Sequence, residues 1–297
     1  VKSAPFDYHR PESVEHATAL LAELEDAKVL AGGQSLVPML ALRLANPEHL
    51  VDVSRLAELR GIEVTADDHV QVGAGTPEAV LEHDLRLAAA VPLLAAATPL
   101  IGHFQIRNRG TVGGSIAHAD PAAEYPAVAL ALDAELDAAS VRGTRTIPAA
   151  EFFTGVWTTA LEPDELLVRV RFPVWTGRCG FAVREFARRH GDFAVAGVAL
   201  AVQVDADDKV SRCAIGLFGL GPAARRATAA EQAVLGRPVA DIRAEELGAL
   251  AVAGLDGVPE DLQGSARYRI RVGASVVARA WTAATLDATT EEDSRSA

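Results

Sequence analysis

The chain has 297 residues, 49% of them hydrophobic and 23% charged, a globular composition with length for about two domains. Aromatic residues are only 5%, so the interior must be built from Ala, Val and Leu. A formal charge of −12 excludes a general nucleic-acid binder, which needs clustered Lys and Arg, but leaves room for a phosphate-bearing ligand held locally by backbone N–H groups.

In chain order, "RPESVEHATALLAEL" sets Val14, Ala17, Leu20, Leu21 and Leu24 on one helical face, with Pro11 suited to the helix start. "AKVLAGG" reads as a short buried strand running into Gly32 and Gly33, and "LVPMLALRLA" resumes a helical pattern with Pro38 near its first turn. "HLVDV" and "HVQVGAG" are short strands. "TPEAVLEHDLRLAAAVPLLAAA" is helical, with Thr76 as N-cap and Pro77 in the first helical position. "PAVALALDAELDA" is either helix into strand or one long helix, and "DELLVRVRFPV" alternates as a strand. "WTGRCG", from Trp175 to Gly180, breaks the pattern and marks a domain boundary. Beyond it, "AVAGVALAVQVD" and "KVSRCAIGLFGLG" read as strands joined by an acidic turn. "RRATAAEQAVLG", "AEELGALAVAGL" and "YRIRVGASVVARAWTAAT" are helical, and the polar tail is expected to be loose. No repeat of solenoid period is present.

Cys179 and Cys213, without a CxxC, are too few to ligate an iron–sulfur cluster within this chain and read as structural thiols. The N-terminal residues lack the pattern of a signal peptide, and every long apolar run is interrupted by Pro, Gly or Arg, so a cytoplasmic protein without a transmembrane segment is expected.

Two glycine loops carry the chemistry. "AGGQS" lies between a strand and a helix, and "TVGGS" follows Arg107 and Arg109, which stand close enough to contribute charge. Consecutive glycines let a ligand approach the backbone without meeting a Cβ, and successive N–H groups make an anion nest. Two such loops beside hydroxyl and amide side chains suggest a diphosphate with a sugar on either side. A Rossmann site does not compete: in "VGAGTPEAV" Glu78 occupies the third glycine position, where its carboxylate would face a pyrophosphate, so this is a tight strand–helix turn. No dinucleotide unit follows "GLFGLG", and no GxxxxGK[ST] is present.

The segments "AGGQSLVPMLALRLA", "QIRNRGTVGGSIAHADPAAEYPA" and "REFARRHGDFAVAGVALAV" resemble the three signature segments of the FAD-binding medium subunit of molybdenum hydroxylases, the family of carbon monoxide dehydrogenase and its xanthine dehydrogenase-like relatives. The resemblance implies an α+β fold: a two-part FAD-binding domain of the vanillyl-alcohol-oxidase (PCMH) type over residues 1–176, then a C-terminal flavoprotein domain over 177–288 with a three-stranded antiparallel sheet and a helical bundle, and a loose tail over 289–297.

Carried over by position, the resemblance implies that Ala31, Gly32, Gly33, Gln34, Ser35 and Leu36 form the first pyrophosphate loop. Thr111, Val112, Gly113, Gly114 and Ser115 form the second, with backbone contacts from the glycines and hydrogen bonds from Thr111 and Ser115. Glu124 falls where many relatives carry Asp, a position associated with the ribityl chain. Asp192 and Phe193 belong to "HGDFA", where the C-terminal domain approaches the flavin ring; Phe193 offers a ring but no phenol hydroxyl. Gln34 stands where some relatives have His, so no covalent flavin link is expected there. His118 and Asp120 either contact the flavin or form a structural turn in which Asp120 caps the "PAAEYPA" helix. His103 reads as a packed or surface histidine, and Arg188, Arg189 and His190 as a surface run or partner interface.

The residues supply no metal-ligand set and no nucleophile–base pair, so no catalytic residue is assigned and redox chemistry falls to the flavin. The resemblance implies an electron-transfer subunit, carbon monoxide dehydrogenase-like, taking electrons from the [2Fe–2S] clusters of a small partner. That partner is itself fed by a large molybdopterin subunit, in a dimer of heterotrimers that is either free or peripheral at the inner membrane. Two other readings stand beside it: a self-sufficient flavin reductase of the same cofactor fold, and a non-catalytic nucleotide-binding protein. Substrate and final acceptor are not encoded here.

Overall fold

The computed structural model describes residues 2–290. The N-terminal layer runs β1 (Asp7–His9), α1 (Val14–Glu23), β2 (Ala27–Leu30), α2 (Leu36–Ala41) and β3 (His49–Asp52). Its three strands form a parallel sheet in the order β1-β3-β2, and α1 buries Ala17 and Leu21 against Val51, Val53, Leu56 and Leu59. Helix α1 begins at Ser13, whose Oγ accepts from the His16 N–H at 3.0 Å. Pro11 lies outside the helix, because the hydroxyl cap fixes the start two residues later.

The second layer follows as β4 (Ile62–Val64), β5 (His69–Gly73), α3 (Glu78–His83), α4 (Leu85–Ala90), α5 (Pro92–Ala97), α6 (Phe104–Arg107), α7 (Val112–His118), α8 (Glu124–Ala131), β6 (Glu135–Ser140), β7 (Gly143–Pro148), α9 (Ala149–Phe152), the hairpin β8 (Phe153–Gly155) and β9 (Thr158–Thr159), and β10 (Leu166–Pro173). The sheet is antiparallel with the order β4-β5-β10-β6-β7, so its central strand is the last to be made. The helix expected over residues 76–97 is three short ones. Asp84 starts α4 by accepting from the N–H groups of Arg86 and Leu87, and Pro92 starts α5, each turning the axis. Thr76 does not cap α3: its hydroxyl exchanges hydrogen bonds with the N–H and carbonyl of Gly61, and Pro77 holds the cap position. Of the two readings of residues 126–138, helix into strand is the one observed, with Asp133 turning the chain at φ 54°.

The C-terminal part has β11 (Arg178–Phe186), β12 (Ala196–Val204), β13 (Val210–Phe218), β14 (Arg225–Arg226), α10 (Thr228–Val234), α11 (Ala244–Ala251) and α12 (Ala266–Thr290). Three long antiparallel strands and a two-residue edge strand make one sheet. Both faces are covered. Val198, Leu200 and Val202 of β12 pack with Val276, Val277, Ala280 and Trp281 of α12, while Ala199 and Ala201 join the core of the preceding layer. Those small residues and Gly216 let α8 lie close; a Cβ at Gly216 would sit 2.3 Å from the Ala127 carbonyl oxygen. Polar bonds pin the seam. Arg226 donates to the Leu130 carbonyl (2.8 Å) and to Asp133 (2.7 Å), and the Gly219 N–H donates to the Pro121 carbonyl (2.7 Å). Cys179 and Cys213 are buried and form no disulfide. Of the polar tail, residues 291–297 lie outside the described residues.

The opposite face is equally tight: a Cβ on Gly180 of β11 would lie 1.7 Å from the Ala284 carbonyl oxygen of α12. Gly180→Ala must therefore push helix and strand apart, at a cost of about 1–3 kcal/mol. The expected result is a thermal midpoint lowered by several degrees with secondary structure retained, read by circular dichroism.

Candidate cofactor site

The two glycine loops touch. A Cβ on Gly32 would stand 2.1 Å from the Arg109 carbonyl oxygen, and one on Gly114 would stand 2.8 Å from Thr111 Oγ1 and 3.6 Å from the Ala31 methyl. Segments eighty residues apart in the chain thus form one surface, because strand β2 delivers Ala31–Leu36 and helix α7 begins at Thr111 beside it.

Their backbone donors are used differently. In the first loop the N–H groups of Gly32, Gly33, Gln34 and Ser35 donate to no protein acceptor among the described residues. Gly33 takes φ 75°, the left-handed conformation that turns the chain toward α2, and Gln34 Nε2 braces the turn on the Gly32 carbonyl at 3.1 Å. Leu36 is the first residue of α2. In the second loop the donors are spent. Val112 N–H donates to Thr76, Gly113 N–H to Ala74 (2.8 Å), Gly114 N–H to Thr111 Oγ1 (3.1 Å) and Ser115 N–H to the Thr111 carbonyl. Backbone donors free of protein acceptors are therefore found in the first loop and not at Val112, Gly113, Gly114 or Ser115 of the second. Gly113 serves packing, since its Cβ would strike Ala74 at 2.4 Å, and Val112 is core. What the second loop presents is the half-buried Gly114 and Ser115, with the Thr111 hydroxyl beside them as the cap of α7.

Arg107 contributes no free charge. It is buried, paired with Glu82 at 2.7 and 2.9 Å, and donates to the carbonyls of Pro99, Ile101 and Gly102. Arg109 is exposed. Glu78 does not face the loops' open side: it is 3% exposed, with its carboxyl against the Gly110 Cα position and Oε2 without a hydrogen-bond partner. Burial raises its pKa to about 8, against the pull of Arg107, so it is a neutral acid at physiological pH.

At the far end of α7, His118 stacks on Trp157 (6.1 Å between ring centroids), and Trp157 Nε1 donates to Asp120 Oδ2 at 3.1 Å. Both Ala119 and Trp157 adopt left-handed backbone conformations, with φ 51° and 53°. Asp120 accepts from the Ala122 N–H (2.9 Å) and closes a turn; it does not cap the next helix, which starts at Glu124 after Ala123. Burial holds the His118 imidazole below its ordinary pKa, against the pull of Asp120. Nothing in the sequence flagged Trp157, because a bulky residue at positive φ has no compositional signature.

Glu124 is buried at the start of α8. Burial first, and then the nearby carboxylates of Glu185, Glu78 and Asp120, push its pKa up to about 8. Glu185, which the sequence reading did not single out, has one carboxyl oxygen buried without a partner. Its signal lay in the alternation of β11: it is in phase with Cys179, Phe181 and Val183, which pack into the core of the preceding layer. Asp192 and Phe193 line an open cleft of about 700 Å³ with Arg188, Arg189, Gly191 and Gln263, none of which belongs to either glycine loop. That hairpin is tied down where His190 stacks on His103, 5.9 Å between centroids.

The fold is a mixed sheet-and-helix layer joined to an antiparallel sheet under a long helix. Residues 4–175 match the family described as FAD binding domain in molybdopterin dehydrogenase, and residues 181–284 match the CO dehydrogenase flavoprotein C-terminal domain. The chain belongs to the FAD-binding medium subunits of the molybdenum hydroxylases. It is 42% identical to the 6-hydroxypseudooxynicotine dehydrogenase complex subunit alpha of Paenarthrobacter nicotinovorans, over 94% of both chains. Among solved structures it is similar to carbon monoxide dehydrogenase from Hydrogenophaga pseudoflava (TM-score 0.93, 41% identity, 97% of this chain and 99% of that one). It is also similar to quinoline 2-oxidoreductase from Pseudomonas putida 86 (TM-score 0.90, 33% identity, 97% and 99%). Among the described residues no helix is long and apolar enough to cross a membrane, and no cluster of side chains could hold a metal ion.

The buried acid Glu78 makes stability pH-dependent. Its folded pKa lies above the unfolded value, so the unfolded chain ionises first and stability falls as pH rises from about 4.5 to about 8. Glu78→Gln should remove that term, gaining over the parent by roughly 1 kcal/mol per pH unit across the window. Urea unfolding at pH 5 and pH 7.5 measures it.

Proposed function

We propose that this chain is the electron relay of a three-subunit hydroxylase, holding FAD between its two glycine loops and passing electrons from a partner's [2Fe–2S] clusters to an external acceptor. The observation that carries the reading is the row of four uncommitted N–H groups from Gly32 to Ser35, facing the hydroxyl-bearing second loop. Such a row suits a diphosphate, since backbone donors neutralise an anion without a cationic side chain. The residues present fit the cofactor.

In this reading Gly32, Gly33, Gln34 and Ser35 hold the diphosphate, with Ala31 and Leu36 flanking it. Thr111 and Ser115 donate hydroxyl hydrogen bonds, and Gly114 leaves the space between the loops open. Val112 and Gly113 anchor the loop from behind. Glu124 takes the ribityl side, His118 and Asp120 shape the floor with Trp157, and Asp192 and Phe193 cover the ring from the C-terminal domain, which begins near residue 177. FAD supplies exchange of electrons singly and in pairs; the protein's part is to bind, orient and exclude water.

The molybdopterin and iron–sulfur chemistry then lies in a large and a small partner chain, within a dimer of heterotrimers in the cytoplasm. The substrate is selected in the large chain: relatives of comparable similarity are named for 6-hydroxypseudooxynicotine and for carbon monoxide.

Purification from the native host under mild conditions, with FAD, iron and molybdenum assayed in one sample, tests the reading. A large and a small partner with all three cofactors are expected; FAD alone, reducible by NADH and without partners, would identify a self-sufficient reductase instead. Gly114→Val, which puts a branched side chain between Thr111 and Ala31, should yield a folded chain depleted of FAD. Full flavin occupancy in that variant would displace the diphosphate from these loops.

A further inference from the structure

Glu124 and Glu185 come from the two sides of the domain seam. Glu124 opens α8, while Glu185 is the penultimate residue of β11, on the strand face whose other members, Cys179, Phe181 and Val183, pack into the core around α8. Glu124 is nine-tenths buried, and Glu185 keeps a carboxyl oxygen that reaches neither solvent nor a protein donor. Leaving a buried carboxyl oxygen unpaired is costly, and such groups are normally satisfied by something bound. Glu185 lies within electrostatic range of Glu124 and is the first of the carboxylates that act on it. The chain from the second glycine loop arrives at Glu124, and β11 continues directly into the hairpin carrying Asp192 and Phe193.

We propose that Glu185 is a cofactor-positioning residue donated by the C-terminal domain, its carboxyl closing with Glu124 around the flavin half of FAD and hydrogen-bonding the hydroxyl or N–H groups found there. The proposal rests on the FAD reading above. It makes the cofactor a bridge between the domains.

Protonation follows from the setting. Burial raises Glu185 to about 7, and Glu124 stands at about 8. Glu78 and Asp120 face Glu124 from the first domain and are acidic too. Helix α5 and strand β12, packed on β11, carry no ionisable side chain. On α12, Arg269 is committed to Asp261 and to the Val195 and Gly219 carbonyls, and Tyr268 packs on Phe186. Arg184 donates to the Val183 carbonyl, and Arg188, Arg189 and Asp192 lie in the hairpin beyond. The pair is thus protonated at mildly acidic pH, where it can donate as well as accept. As pH rises both groups ionise, repel each other and repel the diphosphate, so FAD affinity falls.

The test is FAD titration of deflavinated protein, purified with whatever partner chains it carries, at pH 6.5, 7.5 and 8.5. One group that must hold its proton weakens binding by about tenfold per pH unit once it ionises in the free protein. The parent should lose at least about tenfold across the range. Glu185→Gln, which keeps size and hydrogen bonding but cannot ionise, should match the parent at pH 6.5 and lose most of that fall. Glu185→Ala should bind weakly at every pH, and the Glu124→Gln, Glu185→Gln double variant should be flat. ADP, which lacks the flavin half, should bind without the pH step in all of them. A Glu185→Gln profile that superimposes on the parent, with Glu185→Ala binding normally, overturns the proposal and leaves the FAD reading standing. An equal pH step with ADP overturns it as well, by moving the carboxyls to the adenosine side. A parent that takes no FAD at any pH sinks the underlying reading instead.

Discussion

The core shared by the two domains is built around helix α8, all eight residues of which are buried. A helix apolar on every side needs a partner on every side, and α8 finds them in two domains: the helices of the FAD-binding part on one flank and the small-residue face of the C-terminal sheet on the other. Ala199, Ala201, Ala214 and Gly216 are small because a larger side chain would hold the helix off. The cost of this seam is polar. Glu124 must enter the interior with the first turn of α8, and the Tyr125 hydroxyl survives there only because Thr98 Oγ1 lies 2.9 Å away.

The two glycine loops divide the work of an anion site. The first keeps its donors uncommitted, while the donors of the second are bound to Ala74, Thr76 and its own cap. A diphosphate held here in the way proposed would meet backbone donors on one side and hydroxyls on the other, which suits a chain of net charge −12. Arg107, the cation nearest in sequence that is buried, supports the second loop from behind by tying Glu82 to three carbonyls.

The chemistry expected of such a chain is that of its cofactor, so the protein's contribution is position. Two domains sharing one seam fix the approach of the 187–193 hairpin toward the first domain, through the His103–His190 stack. The same seam holds the buried Glu124 and the orphaned carboxyl oxygen of Glu185. Solved relatives named for different substrates, carbon monoxide dehydrogenase and quinoline 2-oxidoreductase, share this architecture.

Local patterns were enough for much of this. Period-2 alternation marked β10, glycine pairs marked both loops, and the three signature segments identified the family before any fold was visible. These signals are local because backbone conformation and hydrophobic phase are set by residues a few positions apart. The sequence could not show that Gly113 faces Ala74 and not a ligand, that Arg107 is neutralised by Glu82, or that Thr76 bonds Gly61 instead of capping α3. Nor could it mark Trp157. Each of those facts depends on which distant segment arrives alongside, and only packing decides that. The identity of the loops was written in the chain; the fate of their hydrogen-bond donors, and the company kept by their buried acids, was decided by the tertiary structure.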